Sequence, residues 1–503
     1  MTSAQRERLL YTRNMTAEGE RQCLDAFIVA LGQAGEGDKN RWYTSTLALQ
    51  LVSLEFCRAC RSTPTLHVRV NAETRRSLWA GPAPQTGPNT PGSVPGISRR
   101  VPVVRARSLT WALPMEVLLR SAAVEMWKWL EILQLRGSAY AVHLGSVVWP
   151  PRLKLLVFDT RGEGSLSPAL DFGTEDVNHP VARRVVWPAY LESLALEGTF
   201  NQPITAIAWP SSLQKMTLGS DFNQPIAEVE WPASLQKLSF GDCFNQPIAE
   251  VEWPSSLKEV TLGRRFDQPI AQVQWPASLR KLCLGDGFNQ PIAEVEWPGS
   301  LPDLEFGFCF NQPIAAVVWP PSLQSLELGA MAGDFNQPII DTLWPSSLKT
   351  LTFADDFNQP IAGVAFPESL EQLNFGSYFD QPLVGVEWPG SLQAVFFGTR
   401  FDQPIAAVVW PASLLRLVFT SKHLIGPSDG GFNQPVSAVA WPPSLQVLDF
   451  GLGFNQPVAD VVWPASLREL NLGPRYEHPL DEVVWPASVQ VRASGNIVSD
   501  SST

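Results

Sequence analysis

The side chains that could perform metal or redox chemistry are few and widely spaced in this sequence. Cys57 and Cys60 form one C-x-x-C pair, which is the spacing of half a zinc site or of a redox-active pair. No second C-x-x-C follows and only His67 lies near, so we interpret the pair as two ordinary reduced cysteines. Four further cysteines are scattered through the chain. This usage is typical of a reducing compartment and predicts a cytoplasmic protein, with the nucleus as the alternative location.

Groups spaced for catalysis are equally scarce. The sequence contains no Ser/His/Asp order, phosphate-binding loop, HExxH motif or dinucleotide fingerprint. His423 stands alone in an insertion, which favours a loop residue over a general base. Neighbouring glutamates such as Glu250 and Glu252 could chelate calcium, but no loop with the usual oxygen ligands accompanies them, so a solvated acidic face is favoured. We predict no enzyme activity, no cofactor and no metal site, with an enzyme in residues 1–79 as the least favoured alternative.

Most of the remaining chain consists of one motif that recurs every 22 residues. A tryptophan and a phenylalanine of the motif keep the same period, which is interrupted by one short and one longer insertion. A fixed period of this length predicts a solenoid, in which stacked units bury one continuous core. The repeated phenylalanines are Phe200, Phe222, Phe244, Phe266, Phe288, Phe310, Phe335, Phe357, Phe379, Phe401, Phe432 and Phe454.

The alternation of apolar and polar residues within one unit indicates strands. Leu238 and Phe240 alternate with polar residues, and Val251 and Trp253 alternate with glutamates. Alternation over such short runs predicts two short strands per unit, and stacked copies of the first strand form a parallel β-sheet. We expect Trp253 to point inward and to contact the equivalent tryptophans of the neighbouring units, Trp231 and Trp275.

Polar and small residues form the turns between these strands. The asparagine of each F-N-Q-P segment is placed to bond backbone groups of the next turn, and aspartate replaces it at Asp267, Asp380 and Asp402. Since aspartate keeps the side-chain acceptor and loses the donor, the acceptor is predicted to be the essential group. The glycines that follow the first strand are expected at turns with φ above zero: Gly219, Gly241, Gly263 and Gly285.

Two features of the motif resemble known repeats. The spacing L-x-x-L-x-F resembles the strand of leucine-rich repeats. The recurring FNQPI and WP-x-SL segments are similar to the FNIP repeat, a relative of the leucine-rich repeat, over residues 141–492. The resemblance implies a solenoid that makes protein–protein contacts, and it implies no catalytic residues. We therefore expect an all-β-rich, leucine-rich-repeat-like solenoid of 22-residue units with a parallel β-sheet, preceded by a small α-helical N-terminal region.

Composition divides the chain into five parts. Five prolines and four glycines between residues 80 and 100 mark a disordered linker. Before it, residues 1–79 are expected to form a partly helical N-terminal region. After it, a helical cap is expected over 101–147, the repeat solenoid over 148–492 and a disordered tail over 493–503.

Residues 108–135 carry the strongest helical pattern of the chain. Apolar side chains between Met115 and Leu133 recur at helical spacing. We interpret this helix as a cap that covers the exposed end of the solenoid. The segment from Leu113 to Leu119 also looks like the opening of an F-box helix, which implies, as the alternative function, a substrate-recognition subunit of a ubiquitin ligase.

Charge and hydropathy limit the classes of partner. The net charge is −12, and no basic stripe is present to neutralise phosphates, so a nucleic-acid partner is disfavoured. No stretch approaches the ~20 apolar residues of a membrane span. We therefore expect a non-catalytic scaffold that binds protein partners along the solenoid surface.

Candidate binding residues lie on the strand face that points away from the core. Glu305 and Glu327 occupy the same position in adjacent units, and Asn374 follows two units later. Phe396 and Val418 stand at this position where polar residues are expected, which predicts an exposed apolar patch and a partner site. His423, in the insertion at 420–431, is added to the candidate site.

A second surface feature concerns the residue that precedes each tryptophan. Early units carry Glu230, Glu252, Gln274 and Glu296 there, whereas later units carry mostly aliphatic residues, interrupted by Glu387. We therefore predict that partner contact is concentrated between Leu323 and Trp463. The later residues at this position are Val318, Leu343, Ala365, Val409, Ala440, Val462 and Val484.

Overall fold

A computed structural model of the chain describes residues 67–70, 108–111, 130–136, 147–159, 185–329, 333–419, 431–487, 489–493 and 496–499. The chain divides into two compact units, each described by itself. Unit 1 comprises Met1–Phe222 and Val229–Leu235, and unit 2 comprises Asn223–Glu228 and Gln236–Thr503. In the described ranges of both units the regular secondary structure is β-strand, and turns and extended segments connect the strands.

The described strands of unit 1 pair in chain order. Each strand is parallel to the next one, with neighbouring residues in register from β1 to β6. In β4 the residues Leu156 and Phe158 are buried while Val157 is half-buried, as expected for a strand with one face on the core. The strands are β1 (His67–Val70), β2 (Ser108–Trp111), β3 (Ile132–Arg136), β4 (Leu155–Asp159), β5 (Ser193–Glu197) and β6 (Lys215–Leu218).

Unit 2 repeats the same arrangement over more strands. From β7 to β18 each strand is parallel to the next, and β19 pairs antiparallel with β18. The strands are β7 (Lys237–Ser239), β8 (Glu259–Thr261), β9 (Lys281–Cys283), β10 (Asp303–Phe306), β11 (Ser325–Leu328), β12 (Thr350–Phe353), β13 (Gln372–Asn374), β14 (Ala394–Phe396), β15 (Arg416–Val418), β16 (Val447–Asp449), β17 (Glu469–Gly473), β18 (Gln490–Ala493) and β19 (Asn496–Ser499).

Columns of identical side chains fill the core of unit 2. Phe244, Phe266 and Phe288 are fully buried, and their rings stack with centroids 6.1 Å apart from one turn to the next. Trp253 stacks on Trp275 with centroids 5.9 Å apart, but its ring is only half-buried. The expected contact between these two tryptophans is confirmed, and the phenylalanine column is the more deeply buried of the two.

Each described 22-residue repeat contains one strand, so the prediction of two strands per repeat is wrong. Val251 is buried and Glu252 exposed, as the alternation predicted, yet residues 251–253 are extended without ladder pairing. The ladder pairing between turns is formed by the strands, and at the tryptophans the rings of adjacent turns stack, as those of Trp253 and Trp275 do.

The predicted helix over residues 108–135 is wrong at both ends. Ser108–Trp111 and Ile132–Arg136 are strands β2 and β3, which pair in parallel with each other. Leu133 and Leu135 are buried with Gln134 between them, so this segment repeats the L-x-x-L-x-L strand pattern and not a helical one. Residues 112–129, with the F-box-like segment, lie outside the described residues. So do the linker at 80–100 and most of the N-terminal region, in which His67–Val70 is a strand.

The predicted boundaries at the C-terminus also need correction. Gln490–Ala493 forms β18, so the sheet extends beyond residue 492. Asn496–Ser499, which fell in the expected disordered tail, forms β19 and pairs antiparallel with β18. The segment after the repeats therefore returns along β18.

The acceptor role of the repeated asparagine is confirmed. Asn245 Oδ1 accepts hydrogen bonds from the backbone N–H of Asp267 at 2.9 Å and from Gln268 Nε2 at 3.0 Å. Asp267 Oδ1 accepts the same two bonds from Asn289 and Gln290, both at 2.9 Å. Asparagine and aspartate therefore perform the same function, and each turn is tied to the next by one side-chain oxygen.

The glycines after the strands are required by close packing of the turns and not by positive φ. Gly219, Gly241, Gly263 and Gly285 lie outside the positive-φ region, so that expectation is wrong for these four. A Cβ added at Gly263 or Gly285 would overlap the backbone carbonyl oxygen of the glycine one turn earlier. The same position adopts the left-handed conformation only in later repeats, as at Gly451 with φ of 78°.

Candidate protein-interaction surface

The sheet face of unit 2 is the surface formed by strand side chains that point away from the core. The parallel register places Glu305 beside Glu327, and Asn374 beside Phe396, which in turn lies beside Val418. Thr352 stands between Glu327 and Asn374. The structure therefore brings five of the six predicted site residues into one column. His423 lies outside the described residues.

The negative charge of the glutamates in this column is partly neutralised by a lysine on the neighbouring strand β9. Glu305 forms a salt bridge with Lys281 and accepts a hydrogen bond from Cys283 Sγ at 2.9 Å. Burial, together with the neighbouring Glu305 carboxylate, raises the pKa of the Cys283 thiol to about 12, so the thiol stays protonated and is a poor nucleophile. Burial, followed by repulsion from Glu305, also raises the pKa of Glu327.

Asn374 is held by its neighbours on the sheet. Its Nδ2 donates to Thr352 Oγ1 at 2.8 Å, and its Oδ1 accepts from Gln372 Nε2 at 3.0 Å. Both ends of the amide are therefore used within the sheet face. This arrangement indicates a structural role in β12 and β13, and it leaves the residue only partly available for contact with another molecule.

Phe396 and Val418 are buried, so the prediction that they form an exposed patch is wrong. Their exposed fractions are 8% and 7%, and together with Ala394 they form a separate apolar cluster on the sheet face. The register confirms that both point away from the main core, because Val395 and Phe397 on either side of Phe396 point into it. The face was predicted correctly and the exposure was not.

The most exposed large apolar side chains of unit 2 lie instead on the outer face, at the residue before a tryptophan. Val318, Leu343, Val409, Val462 and Val484 are each between 80% and 85% exposed. With Ala365 and Ala440, which are also exposed, they form a set that we call the aliphatic column. The sequence placed these residues on the outer face, and their exposure agrees with that placement.

Small residues flank the aliphatic column on both sides in the last repeats of unit 2. Ala407 and Ala438 lie on one side, and Ala412 and Ala465 lie on the other, all of them exposed. The apolar surface therefore extends beyond the column itself. Three exposed carboxylates rim this surface where the chain approaches its last turns: Asp460, Asp481 and Glu482.

The same position carries exposed acidic or polar residues in the early turns of unit 2. Glu252, Gln274 and Glu296 are all exposed there, and Glu387 interrupts the aliphatic column later. The backbone is the same in both sets, so the aliphatic residues are not required by the fold at this position. Two exposed valines of unit 1, Val148 and Val186, occupy the equivalent position and escaped the sequence interpretation, although they also precede tryptophans.

In the part of the chain that the structure describes, no three His, Cys, Asp or Glu side chains are grouped closely enough to hold a metal ion. Within the same ranges, no helix has the length and the apolar character of a membrane span.

A family model for the FNIP repeat matches five overlapping or adjacent segments of the chain. They are residues 200–243, 222–264, 244–287, 288–330 and 335–378. The matches lie within residues 141–492, where the sequence pattern predicted these repeats. A search of curated protein sequences gives no match.

One solved structure shows the same type of fold. The protein CroV588, described as a novel circular leucine-rich-repeat protein, is 31% identical with a TM-score of 0.61, over 77% of this chain and 56% of that chain. This chain thus spans little more than half of that protein. A chain of the Toll–Spatzle complex from Drosophila is 14% identical with a TM-score of 0.44, over 73% of this chain and 47% of that chain. The chain therefore contains FNIP repeats and folds as a leucine-rich-repeat-like solenoid.

Proposed function

We propose that this FNIP-repeat chain is a non-catalytic scaffold that binds a protein partner on the outer face of unit 2. The observation that carries the proposal is the aliphatic column, in which five large side chains are at least 80% exposed. Contiguous exposed apolar surface with a charged rim is typical of interaction sites. Covering one valine or leucine contributes roughly 1.5–3 kcal/mol, so a few of them are enough for specific binding.

The sheet face is the less favourable surface for a partner. Phe396 and Val418 are buried, and Asn374 uses both ends of its amide within the sheet. Glu305 and Glu327 remain half-exposed and can contribute charge to a neighbouring contact. We therefore assign the partner site, which was predicted between Leu323 and Trp463, to the outer face, where the apolar side chains are accessible.

The remaining functional alternatives have weaker support. The ubiquitin-ligase hypothesis depended on a helix over residues 108–135, and strands occupy both ends of that range. No feature of the described residues favours a catalytic function. The three described cysteines, Cys243, Cys283 and Cys309, are free thiols, which supports a cytoplasmic location with the nucleus as the alternative.

Affinity purification with the full chain tests the scaffold proposal. The double variant Val409→Glu/Val462→Glu should lose the partner proteins that the wild-type chain retains, because it places two charges in the apolar surface. The fold should tolerate both substitutions, since Glu387 occupies the same position in a neighbouring turn. Thermal unfolding of the variant should therefore match that of the wild type.

The variant Glu250→Lys is the matched control. Glu250 is exposed on the acidic early part of the outer face, and its replacement should leave the retained proteins unchanged. If the double variant is folded and retains the same proteins as the wild type, the outer face of unit 2 is not the binding surface and the proposal is wrong.

A further inference from the structure

The spacing of the aliphatic column limits the kind of partner segment that can match it. The indole ring centroids beside the column lie 6.2 Å apart from Trp441 to Trp463 and 6.0 Å apart from Trp463 to Trp485. From Val409 to Val484 each column residue directly precedes a tryptophan, so the column presents one side chain per turn on a spacing of this order. A matching partner must therefore present a row of apolar side chains with a similar repeat.

An α-helix meets this requirement through residues four apart. Its rise of ~1.5 Å per residue separates residues i and i+4 by ~6 Å along the axis. These residues form a ridge inclined by ~26° to the helix axis, so a helix that crosses the column at such an angle aligns its ridge with it. The exposed alanines beside the column, Ala407 and Ala438 on one side and Ala412 and Ala465 on the other, leave room for the neighbouring side chains of the helix.

An extended strand matches the surface less well. Its alternate side chains recur every ~6.6–6.8 Å, which is close to the spacing along a helix ridge inclined by ~26°. The difference lies in the backbone: a strand would bury its N–H and C=O groups against valines, because residues around the column are not in a ladder to which it could pair. A helix satisfies these backbone groups internally.

The rim adds a requirement of charge. Asp460, Asp481 and Glu482 are exposed beside the last residues of the column, on the side of Ala438. A partner helix that lies on the column must place one flank next to these carboxylates. Lysine or arginine on that flank is complementary, and acidic residues are excluded by repulsion.

We propose that the aliphatic column from Val409 to Val484 binds an amphipathic partner helix with an apolar i, i+4, i+8, i+12 row and a basic flank. The inference rests on the scaffold function proposed above and specifies its partner. The helix lies across successive turns, and its apolar row covers Val409, Ala440, Val462 and Val484. Its basic flank lies against Asp460, Asp481 and Glu482.

Synthetic peptides and the full chain test this inference by fluorescence anisotropy. The first peptide has 18 residues, with leucine at every fourth position, lysines on one flank and alanine and glutamine elsewhere. The second peptide has the same composition with its leucines at alternate positions, as a strand would require. The first peptide should bind at least about tenfold more tightly than the second, and its circular dichroism should become more helical on binding.

Three variants of the chain locate the binding site. Val462→Glu should weaken binding of the helical peptide roughly tenfold or more, because it removes a central apolar contact. Glu387→Val should strengthen binding, since it removes the one charged residue that interrupts the column. Val186→Glu, at the equivalent position of unit 1, should leave binding unchanged.

Two results would overturn the helix proposal. One is equal or tighter binding of the alternating peptide, and the other is unchanged binding of the helical peptide to a folded Val462→Glu chain. Failure of the scaffold function is distinguishable from failure of the helix. If proteins captured by the wild-type chain depend on Val409 and Val462 but are not displaced by the helical peptide, the scaffold stands and the helix is wrong.

Discussion

The side-chain ladder at Asn245 allows the mechanism of stacking to be tested with two substitutions at one position. Asn245 Oδ1 is the acceptor for the backbone N–H of Asp267 at 2.9 Å and for Gln268 Nε2 at 3.0 Å. Asn245→Leu removes the acceptor and leaves the half-buried N–H of Asp267 without this partner. An unpaired buried donor costs about 1–3 kcal/mol, which is the expected loss in the free energy of unfolding. The Gln268 side chain can turn toward solvent and adds little.

Asn245→Asp should be nearly neutral because aspartate keeps the acceptor. Two consecutive aspartates already occupy the ladder elsewhere, where Asp402 N–H donates to Asp380 Oδ1 at 2.9 Å. The replacement therefore creates a pair of neighbouring carboxylates that the fold already tolerates. The difference between the leucine and aspartate variants isolates the acceptor from the size of the side chain.

Amide hydrogen exchange at Asp267, combined with urea unfolding, is the appropriate assay. In Asn245→Leu the exchange of this amide should accelerate roughly tenfold or more, which corresponds to at least ~1.4 kcal/mol. In Asn245→Asp it should remain close to the wild type. Gln268→Ala serves as a control, since it removes the side-chain donor and leaves the backbone bond intact. If the leucine and aspartate variants are destabilised equally, the acceptor does not hold the turns together.

Three further predictions follow from burial, packing and charge. Phe396→Asp should lower the melting temperature strongly because Phe396 is only 8% exposed, and a wild-type melting curve would show that the cluster on the sheet face is not packed. Gly285→Ala should destabilise in urea unfolding because the added methyl overlaps the Gly263 carbonyl, whereas Gly390→Ala, with only a carboxylate oxygen of Glu368 at 3.6 Å, should have little effect. Glu327→Gln should stabilise at neutral pH, because the raised pKa means that ionised Glu327 opposes folding. Its advantage should shrink as the pH falls through the raised pKa and vanish below the ordinary value of 4.5, and an advantage independent of pH contradicts the assignment.

Much of the fold was predictable because the same residue pattern recurs in every 22-residue repeat. The period of Phe244, Phe266 and Phe288 predicted stacked turns, and their rings do stack. Replacement of asparagine by Asp267 at one turn predicted the acceptor role that the hydrogen bonds confirm. These features involve one 22-residue repeat and its neighbour, so the pattern of one repeat is enough to infer them.

The failures occurred where one pattern fits two structures. Leu130 and Leu133 satisfy helical spacing, but with Leu135 they also satisfy the L-x-x-L-x-L strand pattern, and the strand is formed. The prediction of a second strand around Val251 failed because alternation predicts the direction of side chains and not the pairing of a segment with its neighbour. Pairing between turns is a tertiary property.

The candidate site was only partly predictable because exposure depends on what is packed over a surface. Phe396 was placed correctly on the sheet face, but nothing in the repeat pattern indicates that its side chain is buried there. On the outer face the change from Glu252 to Val409 was visible in the sequence, and both positions are exposed. The outer face was therefore better predicted than the sheet face.

Site-specific photo-crosslinking tests the central claim most directly. A photoreactive amino acid placed at Val409, at the exposed centre of the aliphatic column, should form a covalent adduct with a partner protein in extracts of the native cells. The same amino acid at Glu252, which is also exposed on the acidic part of the outer face, should form no adduct with that protein. Adducts at Glu252 but not at Val409, from a chain that is folded in both cases, would contradict the assignment of the binding surface.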